Sequence, residues 1–365
     1  MGCSMSGKIV LAGSTSGTIT LQAPAVAGNT VITLPATSGN LTLGSAGGGI
    51  ESVASRPGSP TAGTIIWNTS SNVLETWNGV RWVTLASQNI VGAEVLIVAG
   101  GGGGGTQVGG GGGAGGLIFS SGLAINAGTY TVTVGAAGAG STSTYSVGSS
   151  GGNSSFSVVA TTAIGGGGGG SHQNNGVSTT GGSGGGGGGG VSGNVAGAAG
   201  TSGQGFAGGN GRTGSGAWAG GGGGGAGAAG SNSPSNGIGG NGGAGLYYAD
   251  FTLAGSPVGW YAGGGGGCSE TSVSTLSSGG NGGGGQGWST DYHPASPGVN
   301  GVVNTGGGGG GVRDYPSLNG PAGNGGSGTV IIRYPGGAVA TGGTISTSGG
   351  YTYHRFTSSG SFIVP

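Results

Sequence analysis

The chain has 365 residues, of which 109 are glycine, with seven basic and seven acidic residues scattered singly along it. That much glycine without an unbroken Gly-X-Y register, and with only 12 prolines, excludes a collagen triple helix. Balanced, dispersed charge leaves no basic stripe for phosphates, and neither a membrane-length apolar run nor an export leader is present, so no nucleic-acid partner, no membrane insertion and no Sec export are expected.

Cys3 and Cys268 lie far apart with no metal-ligand spacing around either, and both read as incidental thiols. Met1 to Ser6 formally fits a myristoylation pattern, but only Lys8 adds positive charge nearby. Glycine density falls into three blocks: 14 within residues 1–99, 88 within 100–330 and seven within 331–365. In the first block, Thr18–Leu21, Thr30–Leu34 and Asn40–Leu43 are short β-branched segments between Gly, Pro, Asn and Ser, and they predict three short strands. After a joint at residues 47–49, segments 64–67, 73–77 and 80–85 predict a three-stranded meander, with Asn78-Gly79 as a two-residue hairpin turn. So small a meander buries little core alone, so Ile19, Leu21, Ile32, Leu34, Ile66, Trp67, Trp77 and Trp82 are the candidates for oligomerisation or anchoring.

From residue 94 the pattern changes to Val95-Leu96-Ile97-Val98-Ala99, a run suited to a strand buried on both faces, which leads straight into glycine. Further strands are predicted at 116–119, 129–134, 155–159, 329–334, 351–356 and 361–364. Together they predict a β-sandwich carrying a glycine-rich insertion at about 165–328. The expected fold is all-β, with domains at 1–49 (attachment or stem), 50–89 (meander) and 90–365 (sandwich with insertion).

Glycine tracts serve either as flexible linkers or as packed rods, and only rods require a pattern. Runs of four or more glycines occur at 100–105, 109–113, 165–170, 184–190, 220–225, 263–267, 282–285 and 306–311. In 237–245 the exceptions Ile238, Asn241 and Ala244 recur every three residues, as do Asn324 and Ser327 in 323–328. Three is the polyproline II period; that helix makes no internal hydrogen bond, so its main chain must bond to neighbours, and glycine lets backbones approach on every side. The expectation is a polyglycine II slab, with the period-three exceptions on its edge, one end on the sandwich and loops at the other. Gly187→Val is expected to destabilise far more than Thr179→Val in a loop.

The stretch Ser55-Arg56-Pro57-Gly58-Ser59-Pro60-Thr61-Ala62-Gly63-Thr64-Ile65-Ile66-Trp67-Asn68, continuing through Glu75-Thr76-Trp77-Asn78-Gly79-Val80-Arg81-Trp82, resembles a small β module of tailed-phage fibre and virion proteins. Residues 94–105, Gly326 to Tyr334 and the ending Thr357-Ser358-Ser359-Gly360-Ser361-Phe362 resemble the glycine-rich domain of phage tail proteins, and the first 45 residues resemble cyanophage fibre stems. The resemblance covers most of the chain. It implies a trimeric virion protein at the tail fibre or capsid exterior, contacting other virion subunits through its N-terminal region and a host glycan or outer-membrane protein through variable loops. No long shaft is present, which departs from the family and points to a short fibre, tip adhesin or head-attached fibre.

Loops between the rods carry rings beside charges, a combination suited to sugar or protein recognition. Trp218, Trp288, Asp291, Tyr292, His293, Arg313, Asp314 and Tyr315 are the receptor-binding candidates. Tyr247, Tyr248, Trp260 and Tyr261 flank an apolar stretch and are expected to pack. Gly-x-Ser-x-Gly matches such as residues 181–185 follow from glycine abundance, and His172, His293 and His354 are isolated, so no catalytic residue, metal or cofactor is expected. The alternatives to an adhesin are a capsid decoration or head fibre, and a non-viral or ice-binding glycine protein, which the Trp-bearing modules disfavour.

Overall fold

A computed structural model describes residues 9–12, 18–21, 51–71, 73–84, 89–172, 177–190, 195–213, 217–235, 237–270, 276–288, 297–313 and 320–365. Its contacts divide the chain into two units, Met1–Glu51 and Ser52–Pro365. In the first, β1 (Ile9–Ala12) pairs antiparallel with β2 (Thr18–Leu21), which places Ile19 and Leu21 opposite Leu11 and Ile9. The strands expected at 30–34 and 40–43, with Ile32 and Leu34, lie outside the described residues.

The meander gains a strand: β3 (Glu51–Val53), β4 (Ile65–Asn68), β5 (Val73–Trp77) and β6 (Trp82–Thr84) form one sheet in that order. Cross-strand pairing puts Ile66 beside Glu75 and Asn68 beside Val73, and all four side chains are buried. Arg56 reaches this face and grips Glu75 with two nitrogens, at 2.9 and 2.6 Å, while Asn68 Nδ2 donates at 3.0 Å. The Arg56 hydrogen bond holds the Glu75 carboxyl below its ordinary pKa, against the opposing effect of burial. Ile66 is therefore spent on its own module and is corrected as an oligomerisation candidate; Trp67, Trp77 and Trp82 stay half-buried, the last two with ring centroids 5.7 Å apart. The two-residue turn is also corrected. Trp77 pairs with Trp82 across a four-residue loop, because Asn78 Oδ1 accepts from the N–H groups of both Val80 and Arg81.

The sandwich uses β7 (Ile90–Val98), β8 (Leu117–Ile125), β9 (Gly128–Thr133), β10 (Ser155–Phe156), β11 (Leu246–Tyr247), β12 (Trp260–Tyr261), β13 (Thr329–Pro335), β14 (Thr344–Ser348), β15 (Tyr351–Phe356) and β16 (Gly360–Val364). Its sheets run β14-β15-β13-β7-β8 and β10-β9-β16, while β11 and β12 form a separate hairpin. Val95, Ile97, Val330, Ile332 and Phe356 of the large sheet meet Val132, Phe156, Phe362 and Val364 of the small one. On the opposite face of the large sheet, Leu96, Val98, Ile331 and Tyr353 pack against Phe251, Tyr261, Ala114, Ala226 and Ala262. This is why Val95 to Ala99 is apolar at every position. Arg333 fastens the 246–261 excursion to the sheet, pairing with Glu94 at 2.5 Å and Asp250 at 2.9 Å and lying 4.4 Å from the Tyr351 ring.

The strands continue directly into rods. Val98 pairs with Leu117, and the next bond, Ala99 N–H to Gly116 O, opens a ladder that then repeats every third residue. Ala99, Gly102 and Gly105 donate to 116, 113 and 110; Gly100, Gly103 and Thr106 donate to 152, 149 and 146; Gly101 and Gly104 donate to 326 and 323. The carbonyls of the same rod accept from 166 and 169, from 138 and 141, and from 309 and 312. One rod is thus bonded to three antiparallel and three parallel neighbours and to none of its own residues, which is the hydrogen-bonding pattern of a polyglycine II lattice. The lattice is not confined to 165–328: rods at 99–105, 109–116, 135–141 and 146–152 belong to it, and they contain Ala or Ser among their glycines.

The period-three exceptions mark the rim. Asn241 and Asn324 are exposed, and Ile238, Ala244 and Ser327 are half-buried, whereas the intervening glycines are mostly buried. Where no further rod follows, an asparagine side chain supplies the missing acceptor: Gly140 N–H donates to Asn324 Oδ1 at 2.8 Å, and Asn324 N–H to Asn300 Oδ1 at 2.8 Å. On another edge, Gly197 N–H donates to Asn210 Oδ1 at 3.0 Å, and Asn210 N–H to Asn232 Oδ1 at 2.7 Å.

A Cβ on Gly112 would lie 2.1 Å from the Gly102 carbonyl oxygen, and one on Gly187 2.0 Å from that of Val195, whereas Gly337 has open space. Thr179 is a poor loop control, because its Oγ1 accepts from Gly168 N–H at 2.7 Å. Gly112→Ala and Gly187→Ala should each destabilise by about 3 kcal/mol, and Gly337→Ala by under about 0.5 kcal/mol, in denaturant titrations. Equal effects at the three sites would contradict lattice packing.

His354 is buried; its Nδ1 donates to Gly342 O at 2.7 Å and its Nε2 accepts from Tyr334 OH at 3.0 Å. Burial pushes its pKa down, partly offset by the Gly342 bond, and burial does the same to His172 against the opposing charge of Glu270. A folded pKa below the unfolded value means that stability is complete above about pH 6.5 and is lost as pH falls toward the depressed value. The melting temperature should drop between about pH 7 and about pH 5, and a His354→Gln, His172→Gln double variant should flatten that drop. An unchanged slope would show that neither imidazole governs it.

Candidate functional site

Ends of rods meet strands at 98/99, 116/117, 133/135, 152/155 and 328/329, so the sandwich occupies one end of the lattice. The opposite ends lie at 105–109, 141–146, 170–172, 187–189, 211–213, 217–219, 268–270, 287–288 and 311–313, and there the longer connections begin. Gln107 and Val108 both have positive φ, at 53° and 56°, in the turn joining antiparallel rods. Val108 is β-branched and costly in that region, and neighbours hold it. Its N–H donates to Arg313 O and its carbonyl accepts from Gly189 N–H, while Gln107 O accepts from His172 N–H.

Around this turn the side chains assemble. The His172 ring is 4.7 Å from Trp218 and 5.8 Å from Tyr145, centroid to centroid. His172 is buried, and among the described residues neither ring nitrogen meets a hydrogen-bond partner. Glu270 accepts from the main-chain N–H of Trp218 and pairs with Arg313 Nη2 at 3.5 Å, joining two rod ends distant in sequence. Two predicted site residues, Trp218 and Arg313, are thereby brought together. Glu270, His172 and Tyr145 were not among the candidates; lone residues beside glycine runs carry no spacing signal.

Trp288 is a correction. It is only 3% exposed and packs with Cys268, Val312 and Ala322, so it plugs the rod ends and presents no ring to a ligand. Asp291, Tyr292, His293, Asp314 and Tyr315 lie outside the described residues. At the sandwich end Phe251 and Tyr261 are buried as expected, but Tyr247 is 51% exposed and sits 5.7 Å from Trp260. Among the described residues, no three His, Cys, Asp or Glu side chains converge on one point. Among the described residues the tip brings together tilted ring pairs, the Glu270 carboxylate and the Arg313 guanidinium, a set suited to binding polar, ring-bearing ligands.

Fold and tip define the class: an all-β protein whose main-chain glycine lattice is seeded by a sandwich and ends in loops. The sequence pattern of the glycine-rich domain matches residues 69–335, and the chain belongs to that family. No curated protein and no solved structure matches the chain.

Trp288→Ala should cost about 3–5 kcal/mol, as for other buried aromatic truncations, while Glu270→Gln should cost about 1 kcal/mol. Hydrogen exchange should then accelerate in the first variant at Ser269, whose N–H donates to the carbonyl of residue 288, and at residue 288 itself, whose N–H donates to Gly311 O, and at Trp218 in the second. A Trp288→Ala protein as stable as the parent would mean that the ring does not pack.

Proposed function

We propose that the chain is a non-enzymatic virion protein of a tailed bacteriophage, an adhesin that binds a host-surface receptor through loops at the end of a polyglycine slab. The observation that carries this reading is the segregation of the lattice ends. Strands and buried rings crowd one end, while the other gathers Tyr145, His172, Trp218, Glu270 and Arg313 and the starts of the longer connections. A lattice bonded in six directions is a stiff support, so loops fixed to it bind with little loss of main-chain entropy. The phage-like motifs of the Arg56–Trp82 module and of the chain's ending supply the virion setting. The partner class is a host glycan or outer-membrane protein; rings with a carboxylate and a guanidinium favour the glycan.

A second reading, a capsid decoration or head fibre, is favoured by the half-buried Trp67, Trp77 and Trp82, which suit anchoring to other virion subunits or trimerisation. Purified chain added before infection should block phage adsorption in a dose-dependent way, and Trp218→Ala with Arg313→Ala should weaken the block by about tenfold or more. A folded chain that fails to bind host cells, or labelled antibody decorating only the capsid shell, would remove the adhesin reading and leave the structural one.

A further inference from the structure

The Thr357-Ser358-Ser359-Gly360-Ser361 stretch, which runs from the end of β15 into the start of β16, takes no part in the lattice or its tip. It borders an open groove of about 230 Å³, lined by Gly343, Thr344, Arg355, Phe356, Thr357, Ser358, Ser359, Gly360 and Ser361. Thr344 pairs directly with Arg355 across the sheet, so the two side chains share a face. Arg56, Arg313 and Arg333 each have a carboxylate partner, but no ion pair or hydrogen bond satisfies the Arg355 guanidinium among the described residues. Its Nε is shut off from solvent and meets no acceptor. A buried donor without an acceptor costs about 1–3 kcal/mol, and among the described residues no carboxylate complements this guanidinium.

The surroundings are rigid. Ser359 Oγ accepts from Val134 N–H at 3.0 Å, tying the loop to the second sheet. Gly342 and Gly343 have φ of 112° and 64°, and a Cβ at either would press on neighbouring backbone, so the far wall is fixed by glycine as well.

We propose that this groove is an oxyanion-binding site, in which the outer nitrogens of the Arg355 guanidinium hold a carboxylate or phosphate end-on while the Thr344, Thr357, Ser358 and Ser361 hydroxyls donate to its remaining oxygens. Guanidinium is the side chain that matches such groups bidentately, and neutral hydroxyls add donors without competing charge. The site lies on the sandwich, apart from the tip, and does not depend on the receptor-binding reading.

The test is NMR titration of the full chain with inorganic phosphate and, separately, with glucuronate, each against sodium chloride at equal ionic strength. Saturable shifts of the Arg355 Nε–H and of the Ser358, Ser359 and Gly360 amides are expected from at least one of them. Phosphate alone would mark a phosphoryl group as the ligand, and glucuronate alone an acidic sugar. Arg355→Lys, which keeps the charge and loses the fork, should weaken binding by about tenfold, and Thr357→Val with Ser358→Ala by about threefold, with the lattice amides unmoved in both. No saturable shift from either anion, or equal binding by Arg355→Lys, would overturn the proposal.

Discussion

The structure rests on main-chain hydrogen bonds between rods that carry no side chain at the contact. Each residue of a polyglycine II rod aims its N–H and C=O at neighbours, and a Cβ at an interior position lands about as close to a carbonyl oxygen as the 2.1 Å found at Gly112. Composition and packing are thereby the same fact. Ordering glycine costs more backbone entropy than ordering any other residue, and a net hydrogen bond contributes only about 0.5–1.5 kcal/mol, so the rods need an external template.

The sandwich is that template. Strands β7, β8 and β13 lie side by side and run on as the rods 99–105, 109–116 and 321–328, so a two-residue ladder becomes a three-residue ladder without a break. Apolar burial on both faces of the large sheet anchors the first bonds, and the Arg333 clamp holds the 246–261 excursion over the remaining apolar face. At the rim the problem inverts. A lattice edge is an array of unpaired donors, comparable to an exposed strand edge, and the Asn210–Asn232 and Asn300–Asn324 pairs place amide oxygens where the next rod's carbonyls would lie. The tip shows a third solution, with Trp288 filling the space between rod ends and Glu270 bridging two of them.

Much of this was legible in the residues. Two periods, two for strands and three for rods, separate the sandwich from the lattice, and the exceptions at Ile238, Asn241, Ala244 and Asn324 foretold which positions face outward. What stayed hidden were rods such as 135–141 and 146–152, whose Ala and Ser content resembles a loop, and the four-residue Asn78–Arg81 connection, where the asparagine carbonyl overrides the usual two-residue turn. The β11–β12 hairpin was missed because two-residue strands carry no periodicity.

By itself the sequence determined that the chain is all-β, that its glycine tracts are rods and where the sandwich strands begin, because those properties follow from local period and from the absence of Cβ atoms. Only the tertiary structure decided which rods touch, that Trp288 is a plug, that Trp218 and Arg313 meet at Glu270, and that Arg355 has no counter-charge among the described residues. Glycine rods are nearly identical to one another, so their neighbours are chosen by loop length and by the order in which strands deliver them, and that is a property of the whole fold.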